Sequence, residues 1–169
     1  WTALCAAAAA SCPPADGKEF ETAPSVFTEA LTGSLTWVAA AGGGVTPHLA
    51  GTRPWAETQR PALAARDLVL LVPAGATWEG VEIVPLATRR ETAPAALALG
   101  GAAVSTSGLA VSCARHPLTD DVFPASWGEY AGRQTWRGFH LALVRVYPLR
   151  AVRDAAGAWT EVEVLEPYA

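Results

Sequence analysis

The stretch Trp136-Arg-Gly-Phe-His-Leu-Ala-Leu-Val-Arg-Val-Tyr-Pro-Leu149 is the longest unbroken apolar run of strand composition in the chain. At a period of two, its apolar side chains divide between two faces, with Phe139, Leu141, Leu143 and Tyr147 on one and Ala142, Val144 and Val146 on the other. β-Branched and aromatic residues suit a pleated surface better than a helix. Because both faces are apolar, we predict a central strand that is covered on both sides and ends near Pro148.

Other segments of similar composition lie on both sides of this run and are separated by Gly and Pro turns. We predict further strands at 34–41, 67–73, 77–84, 95–104, 108–114 and 159–165. Pro61 followed by good helix formers predicts a short helix at 62–66. Two stretches without periodicity, 46–60 and 116–133, are expected to be long loops. The pattern predicts an all-β fold, an antiparallel β-sandwich or small barrel of about six to eight strands.

The 169 residues match the size of one ordinary domain. Pro13-Pro14-Ala-Asp-Gly17 interrupts the chain with turn chemistry. We therefore expect an apolar N-terminal arm or short helix at 1–17, followed by a single β-rich domain at 18–169. Alanine, which has the highest helix propensity, accounts for the helical alternative in the arm.

Charge argues against nucleic-acid binding, and hydropathy argues against a transmembrane helix. The formal net charge is −4 and the basic residues are scattered, so the sequence predicts no binding to nucleic acid. No segment reaches the roughly 18 consecutive apolar residues of a membrane-spanning helix, so no transmembrane span is expected.

The N-terminal residues suggest export from the cytoplasm. The sequence contains no methionine, so Trp1 is expected to be a processed N-terminus or the start of a truncated chain. Removal of a signal peptide would place the protein in the periplasm or on the outer face of a bacterial membrane. Ala-Ala-Ser-Cys12 also resembles a loose lipobox, which makes Cys12 a possible lipid anchor.

Three cysteines are present, at positions 5, 12 and 113. In an oxidising compartment one pair could form a disulfide and leave one free thiol. A Cys12–Cys113 bridge would tie the arm to the domain, whereas a Cys5–Cys12 bridge would close only a local loop. The sequence leaves both pairings open.

Motifs for chemistry are weak throughout the chain. Cys113-Ala-Arg-His116 has the spacing of one zinc-binding pair, with His48, His140 and Asp120 as distant partners, but a structural zinc site needs four ligands, commonly in two such pairs. No serine lies in a Gly-x-Ser-x-Gly elbow, and the glycine runs lack the residues of a phosphate or dinucleotide loop. We predict no catalytic residues, no metal, no cofactor and no enzymatic activity.

Aromatic residues in the two predicted loops are the main candidates for binding. Trp55 lies in the first loop, and Trp127 and Tyr130 lie in the second. Loop tryptophans anchor protein interfaces or stack on sugar rings. They can equally cover the open end of a sandwich. These three residues are the predicted interface or ligand platform. Trp37 and Trp136, in contrast, lie in or beside predicted strands and are expected to belong to the core.

Three segments resemble the closing part of formylglycine-generating-enzyme-like and C-type-lectin-like domains: Gly100-Gly101, Ser112-Cys-Ala-Arg115 and Trp136-Arg-Gly-Phe-His-Leu-Ala142. The resemblance covers barely a quarter of the chain. The family's Arg-Gly-Gly-Ser-Trp opening is incomplete here, and His140 stands where its final arginine would be. The resemblance implies a carbohydrate or small-ligand binding domain and carries over no functional residue.

The sequence thus supports three hypotheses of function. The first is a non-enzymatic, extracytoplasmic accessory or structural subunit that docks on a larger bacterial envelope complex, with other protein subunits as its partners. The second is a carbohydrate or small-ligand binding β-domain that uses Trp55, Trp127 and Tyr130. The third is a structural protein of a phage virion.

Overall fold

A computed structural model describes residues 4–8, 10–11, 25–29, 34–72, 77–78, 80–101 and 120–166. Within these ranges all regular structure is strand, and none is helix. The strands are β1 Leu4–Ala8, β2 Ala10–Ser11, β3 Ser25–Glu29, β4 Thr36–Ala39, β5 Val45–His48, β6 Arg53–Trp55, β7 Leu63–Val72, β8 Thr77–Trp78, β9 Glu82–Pro85, β10 Thr88–Thr92, β11 Val122–Phe123, β12 Gly128–Trp136, β13 Phe139–Val146, β14 Leu149–Arg153 and β15 Trp159–Leu165. The predicted all-β class is confirmed.

The strands form open antiparallel sheets. Two four-stranded sheets have the orders β12-β13-β7-β6 and β10-β15-β14-β11, and a three-stranded sheet has the order β3-β1-β9. Two further pairs are β2-β8 and β4-β5. This arrangement corresponds to an antiparallel sandwich, and no sheet of the described residues closes into a barrel.

The stretch at 136–149 forms more than one strand. β12 ends at Trp136, Arg137 and Gly138 turn the chain with φ of 50° and 83°, and β13 begins at Phe139. Positive φ at both central residues is the signature of a type I′ turn, which matches the twist of the two strands. β13 lies between β12 and β7, so its predicted central position is confirmed. The prediction of one continuous strand was wrong, because the hairpin turn falls inside the apolar run.

Only one face of β13 is buried. Ala142, Val144 and Val146 are buried on that face. Val144 and Val146 belong to a core that includes Trp127 and Ile83. On the opposite face Phe139 is exposed and Leu141 and Leu143 are only half-buried, so the prediction that both faces are covered was wrong.

A second core lies between β7 and the sheet that contains β14 and β15. It unites buried residues from several strands: Leu63, Ala64, Ala93, Leu97, Phe123, Leu149, Ala151, Trp159, Val162 and Val164. Burial of each large apolar side chain contributes roughly 1.5–3 kcal/mol. The first three residues of β7 pair with β6 and the other seven pair with β13, so this ten-residue strand contributes to both cores.

Strand pairing overrides several local predictions. Residues 63–66 begin β7 instead of forming a helix, and the described backbone at 4–8 is a strand between β3 and β9, so the helical alternative in the arm was wrong. The expected loops contain short strands, β5 and β6 in the first and β11 and part of β12 in the second.

Two other strand predictions also need correction or lie outside the described residues. The segment predicted as a strand at 95–104 makes only isolated bridges in its described part, and the strand predicted at 108–114 lies outside the described residues. In the described residues, pairing with partners far along the chain decides where strands form, and local propensity does not report it.

Candidate functional site

An apolar surface covers the exposed side of the sheet formed by β12, β13 and β7. Val69, Leu71, Trp136 and Phe139 are 58%, 60%, 55% and 54% exposed on it. Six residues together are called the open face below: Val69, Leu71, Trp136, Phe139, Leu141 and Leu143.

The strand register brings these side chains together. Leu141 pairs with Leu71, Leu143 with Val69, and Trp136 with Phe139 across the hairpin. Directly opposed residues of an antiparallel pair point to the same side of the sheet. Contiguous exposed apolar area of this kind is typical of protein-binding surfaces. Burial of the exposed part of each such side chain against a partner would stabilise a complex by roughly 1 kcal/mol.

A chain of ion pairs borders one end of the open face. Arg53 pairs with Asp67 at 2.6 Å, Arg145 pairs with Asp67 at 3.1 Å, and Arg145 pairs with Glu129 at 3.0 Å. Partial burial acts to raise the pKa of Asp67, but hydrogen bonds from Arg53 and Arg145 outweigh it and hold the pKa below its usual value. Two cations and two carboxylates thus balance here, so this end is polar without net charge.

Tyr147 joins the charged end to the core. Its ring lies 4.4 Å from that of Trp55, which stacks in turn on Phe123 at 5.3 Å. Burial is the main cause that raises the pKa of the Tyr147 hydroxyl, and the neighbouring carboxylate of Glu129 raises it further. The hydroxyl therefore stays neutral at physiological pH.

The other end of the open face is the tip of the β12–β13 hairpin. The guanidinium of Arg137 lies over the ring of Trp136, 4.7 Å from its centroid. Both residues are exposed. Trp and Arg are the residue types most enriched among energetic anchors of protein interfaces.

The predicted platform residues are not brought together on one surface. Trp127 is 8% exposed and packs in the core with Val144, and the guanidinium of Arg150 covers its ring at 4.1 Å. Trp55 packs against the second core, between Phe123 and Tyr147. Both tryptophans therefore cover the core, which is the third role that the sequence left open for them. Tyr130 is exposed on β12.

The remaining predicted sites are only partly described. Cys12, Cys113 and His116 lie outside the described residues, and so do the predicted disulfide, the lipid anchor and the Cys113–His116 pair. His140 contacts the Thr135 hydroxyl at 3.3 Å, and Asp120 pairs with Arg60 at 2.8 Å. Within the described ranges, no group of three or more His, Cys, Asp or Glu residues could hold a metal ion.

No described helix is long and apolar enough to cross a membrane. Of the segments that resemble C-type-lectin-like domains, 136–142 forms the hairpin turn with its flanking residues, and 112–115 lies outside the described residues.

Sequence reasoning assigned Trp136 to the core and did not single out Val69 or Leu71. One signal was available: two neighbouring strands, β7 and β13, each carry apolar residues on both faces, and one of those faces is the open face. The sequence alone could not indicate which face would remain exposed.

Comparison with known proteins adds information on the fold. No family model matches the chain, and no curated protein matches it. It is similar to a chain in the structure of the complex of Porphyromonas gingivalis RgpB pro- and mature domains, with a TM-score of 0.52 and 14% identity over 78% of this chain and 68% of that chain. It is also similar to a structure on the zymogenic latency of gingipain K from P. gingivalis, with a TM-score of 0.50 and 19% identity over 77% and 73% of the two chains. At these identities the likeness establishes a shared fold.

Proposed function

We propose that this chain is a non-enzymatic accessory domain that binds a larger protein through the open face. The single observation that carries the proposal is the cluster of Val69, Leu71, Trp136 and Phe139, each more than half exposed and adjacent on one sheet surface. An apolar cluster with a neutral polar border has the anatomy of a protein interface.

The solved structures support a partner of this kind. One of them is a complex of a pro-domain with a mature domain, and the other concerns the latency of a zymogen. A domain of the same fold can thus take part in a complex with a larger protein. We propose that the partner here is also a larger protein, either a protease that the chain keeps latent or a subunit of an extracytoplasmic envelope complex.

The proposed location, in the periplasm or on the outer face of a bacterial membrane, rests on the N-terminal sequence. The non-enzymatic role rests on the absence of a catalytic motif in the sequence. A sugar-binding platform has less support, because the rings of Trp55 and Trp127 are covered by other side chains.

The test compares the wild-type chain with a double variant, Leu71→Thr with Phe139→Thr, which places β-forming polar residues on the open face. Val38→Thr is the matched control, because Val38 is 55% exposed on β4, outside the open face. Each tagged chain is incubated with soluble and membrane extracts of the source organism, and stoichiometric complexes are isolated and identified. Affinity is then measured with the purified partner.

We expect the double variant to bind the purified partner at least about thirtyfold more weakly, since interface anchors contribute about 2 kcal/mol or more. The Val38→Thr control should bind like the wild type. If the partner is a protease, the wild-type chain should also lower its activity. Equal affinity of the double variant and the wild type would refute the proposal.

A further inference from the structure

Four arginines in the described residues place their guanidinium over an aromatic ring. In three of them a protein oxygen also lies at the guanidinium: Arg60 over Phe123 pairs with Asp120 at 2.8 Å, Arg150 over Trp127 pairs with Glu163 at 2.6 Å, and Arg153 over Trp159 donates to the Gly157 carbonyl oxygen at 2.8 Å. The ring supports the flat side of the guanidinium, and the oxygen lies at its N–H edge, where it accepts a hydrogen bond from Arg150 and from Arg153. This combination recurs because a guanidinium offers a π-face and a fork of donors at once.

Arg137 is the exception. It lies over Trp136 at 4.7 Å, yet it makes no ion pair or hydrogen bond with an oxygen of any residue that the structure describes. Its stacking partner is itself more than half exposed. Toward the described residues the N–H edges of this guanidinium are therefore open, and an acceptor carried by another protein can be tested there.

The backbone at Arg137 gives an independent argument. Its φ is 50°, in the left-handed region, as the type I′ turn requires. Asn, Asp and Gly are the residues favoured at this turn position, and a long side chain there carries a conformational cost. Residues held in such disfavoured conformations cluster at functional sites, so the position of Arg137 is consistent with a binding role.

We propose that Arg137, held flat on Trp136, binds a side-chain carboxylate of the partner protein. The inference deepens the proposed function and rests on it: the partner presents an apolar segment to the open face, with an Asp or Glu at the hairpin end. A planar carboxylate matches the fork of a guanidinium with two parallel hydrogen bonds. Phe139 pairs with Trp136 and lies on the same side of the sheet, so the carboxylate contact of Arg137 would lie directly beside the apolar contacts.

Two variants separate the charge contact from other effects. Arg137→Asn removes the guanidinium and supplies the residue that the turn prefers, so a loss of binding cannot result from a disrupted hairpin. Arg133→Gln removes one positive charge from β12, the strand that leads into the turn at Arg137. Arg133 pairs with Ala142, which places it on the opposite side of the sheet from Phe139. An unfolding midpoint of Arg137→Asn at or above that of the wild type confirms an intact hairpin.

The probes are two capped peptides, acetyl-Ser-Val-Leu-Glu-Leu-Val-Ser-amide and its counterpart with Gln in place of Glu. Each is titrated into the isotope-labelled full chain, and chemical shifts of the Trp136 indole and the Arg137 guanidinium N–H signals are followed. Inorganic phosphate is titrated separately as an alternative anion.

We expect the Glu peptide to bind the wild type about tenfold more tightly than the Gln peptide, because a hydrogen bond between charged groups is worth about that much. The preference should persist in Arg133→Gln and disappear in Arg137→Asn. Equal binding of the two peptides to the wild type, or no response of the two signals to either peptide, would overturn the carboxylate assignment. A stronger response of Arg137 to phosphate than to the Glu peptide would overturn it in favour of a phosphate ligand.

The two proposals fail in distinguishable ways. If Leu71→Thr with Phe139→Thr abolishes binding of the purified partner and Arg137→Asn does not, the carboxylate site is wrong and the open face still binds the partner. If neither variant weakens the complex, both proposals are wrong.

Discussion

Replacement of valine by threonine at two positions tests directly whether the open face is exposed in solution. Val69 and Val144 lie on adjacent strands, but Val69 is 58% exposed and Val144 is 0% exposed. Threonine has nearly the shape of valine and a similar strand preference. The two substitutions therefore differ mainly in whether the new hydroxyl meets water or the core.

The expected magnitudes follow from burial. In Val144→Thr the hydroxyl enters a core beside Trp127 and Ile83, and an uncompensated buried hydroxyl costs about 1–3 kcal/mol. In Val69→Thr the hydroxyl is solvated, so the free energy of unfolding should change by no more than about 0.5 kcal/mol. For a chain of this length each kcal/mol corresponds to about 2–4 °C in the melting temperature.

Urea unfolding of the wild type and both variants, at several protein concentrations, measures the difference. The midpoint should fall for Val144→Thr with an unchanged slope, and it should hardly move for Val69→Thr. A loss for Val69→Thr as large as that for Val144→Thr would refute the assignment of the open face, since it would mean that another layer covers Val69. A loss that appears only at high concentration would show that a second copy of the chain covers it.

Three further outcomes are expected. Gly128→Ala should lower stability by about 1–3 kcal/mol in chemical unfolding, because a Cβ there would clash with the side chain of Ile83 and lie 2.6 Å from a backbone oxygen; a neutral result would contradict the close packing. Partial burial alone would raise the pKa of Glu163, but hydrogen bonds, chiefly from Arg150, lower it below 4.5. The ionised carboxylate therefore stabilises the fold above pH 4.5, and this contribution is lost as the pH falls through the folded pKa. The free energy of unfolding of Glu163→Gln should therefore depend less on pH in that acid range, and an unchanged acid slope would contradict this. Burial is the chief cause that raises the pKa of Tyr147. The neutral hydroxyl therefore contributes to stability below the ordinary tyrosine pKa of 10, and this contribution is lost as the pH rises above that value. The stability of Tyr147→Phe should depend less on pH in alkaline titrations, and identical curves for the two proteins would count against the buried hydroxyl.

Much of the architecture was accessible from local patterns. Strict alternation at 159–165 and the dense apolar run around β13 identified strands, because the side-chain period of two is a local property of the chain. The helix predicted at 62–66 failed for the opposite reason. Its residues are good helix formers, but pairing with β6 and burial of Leu63 in the core decide its conformation.

The tryptophans show the limit for the candidate site. Position in a long aperiodic segment suggested that Trp127 was on the surface, whereas it packs in the core. Trp136, at the start of the longest apolar run, was assigned to the core and is exposed at the hairpin tip. The turn at Arg137-Gly138 was not recognised, because arginine is not a residue that marks a type I′ turn.

By itself the sequence determined the all-β class and the central position of β13. Only the tertiary structure decided which of the two apolar faces of β13 became core. That choice depends on which layer packs on which side of a sheet, and a strand with two apolar faces contains no local signal for it. The face of this sheet that stays exposed among the described residues is the surface that we propose binds a partner.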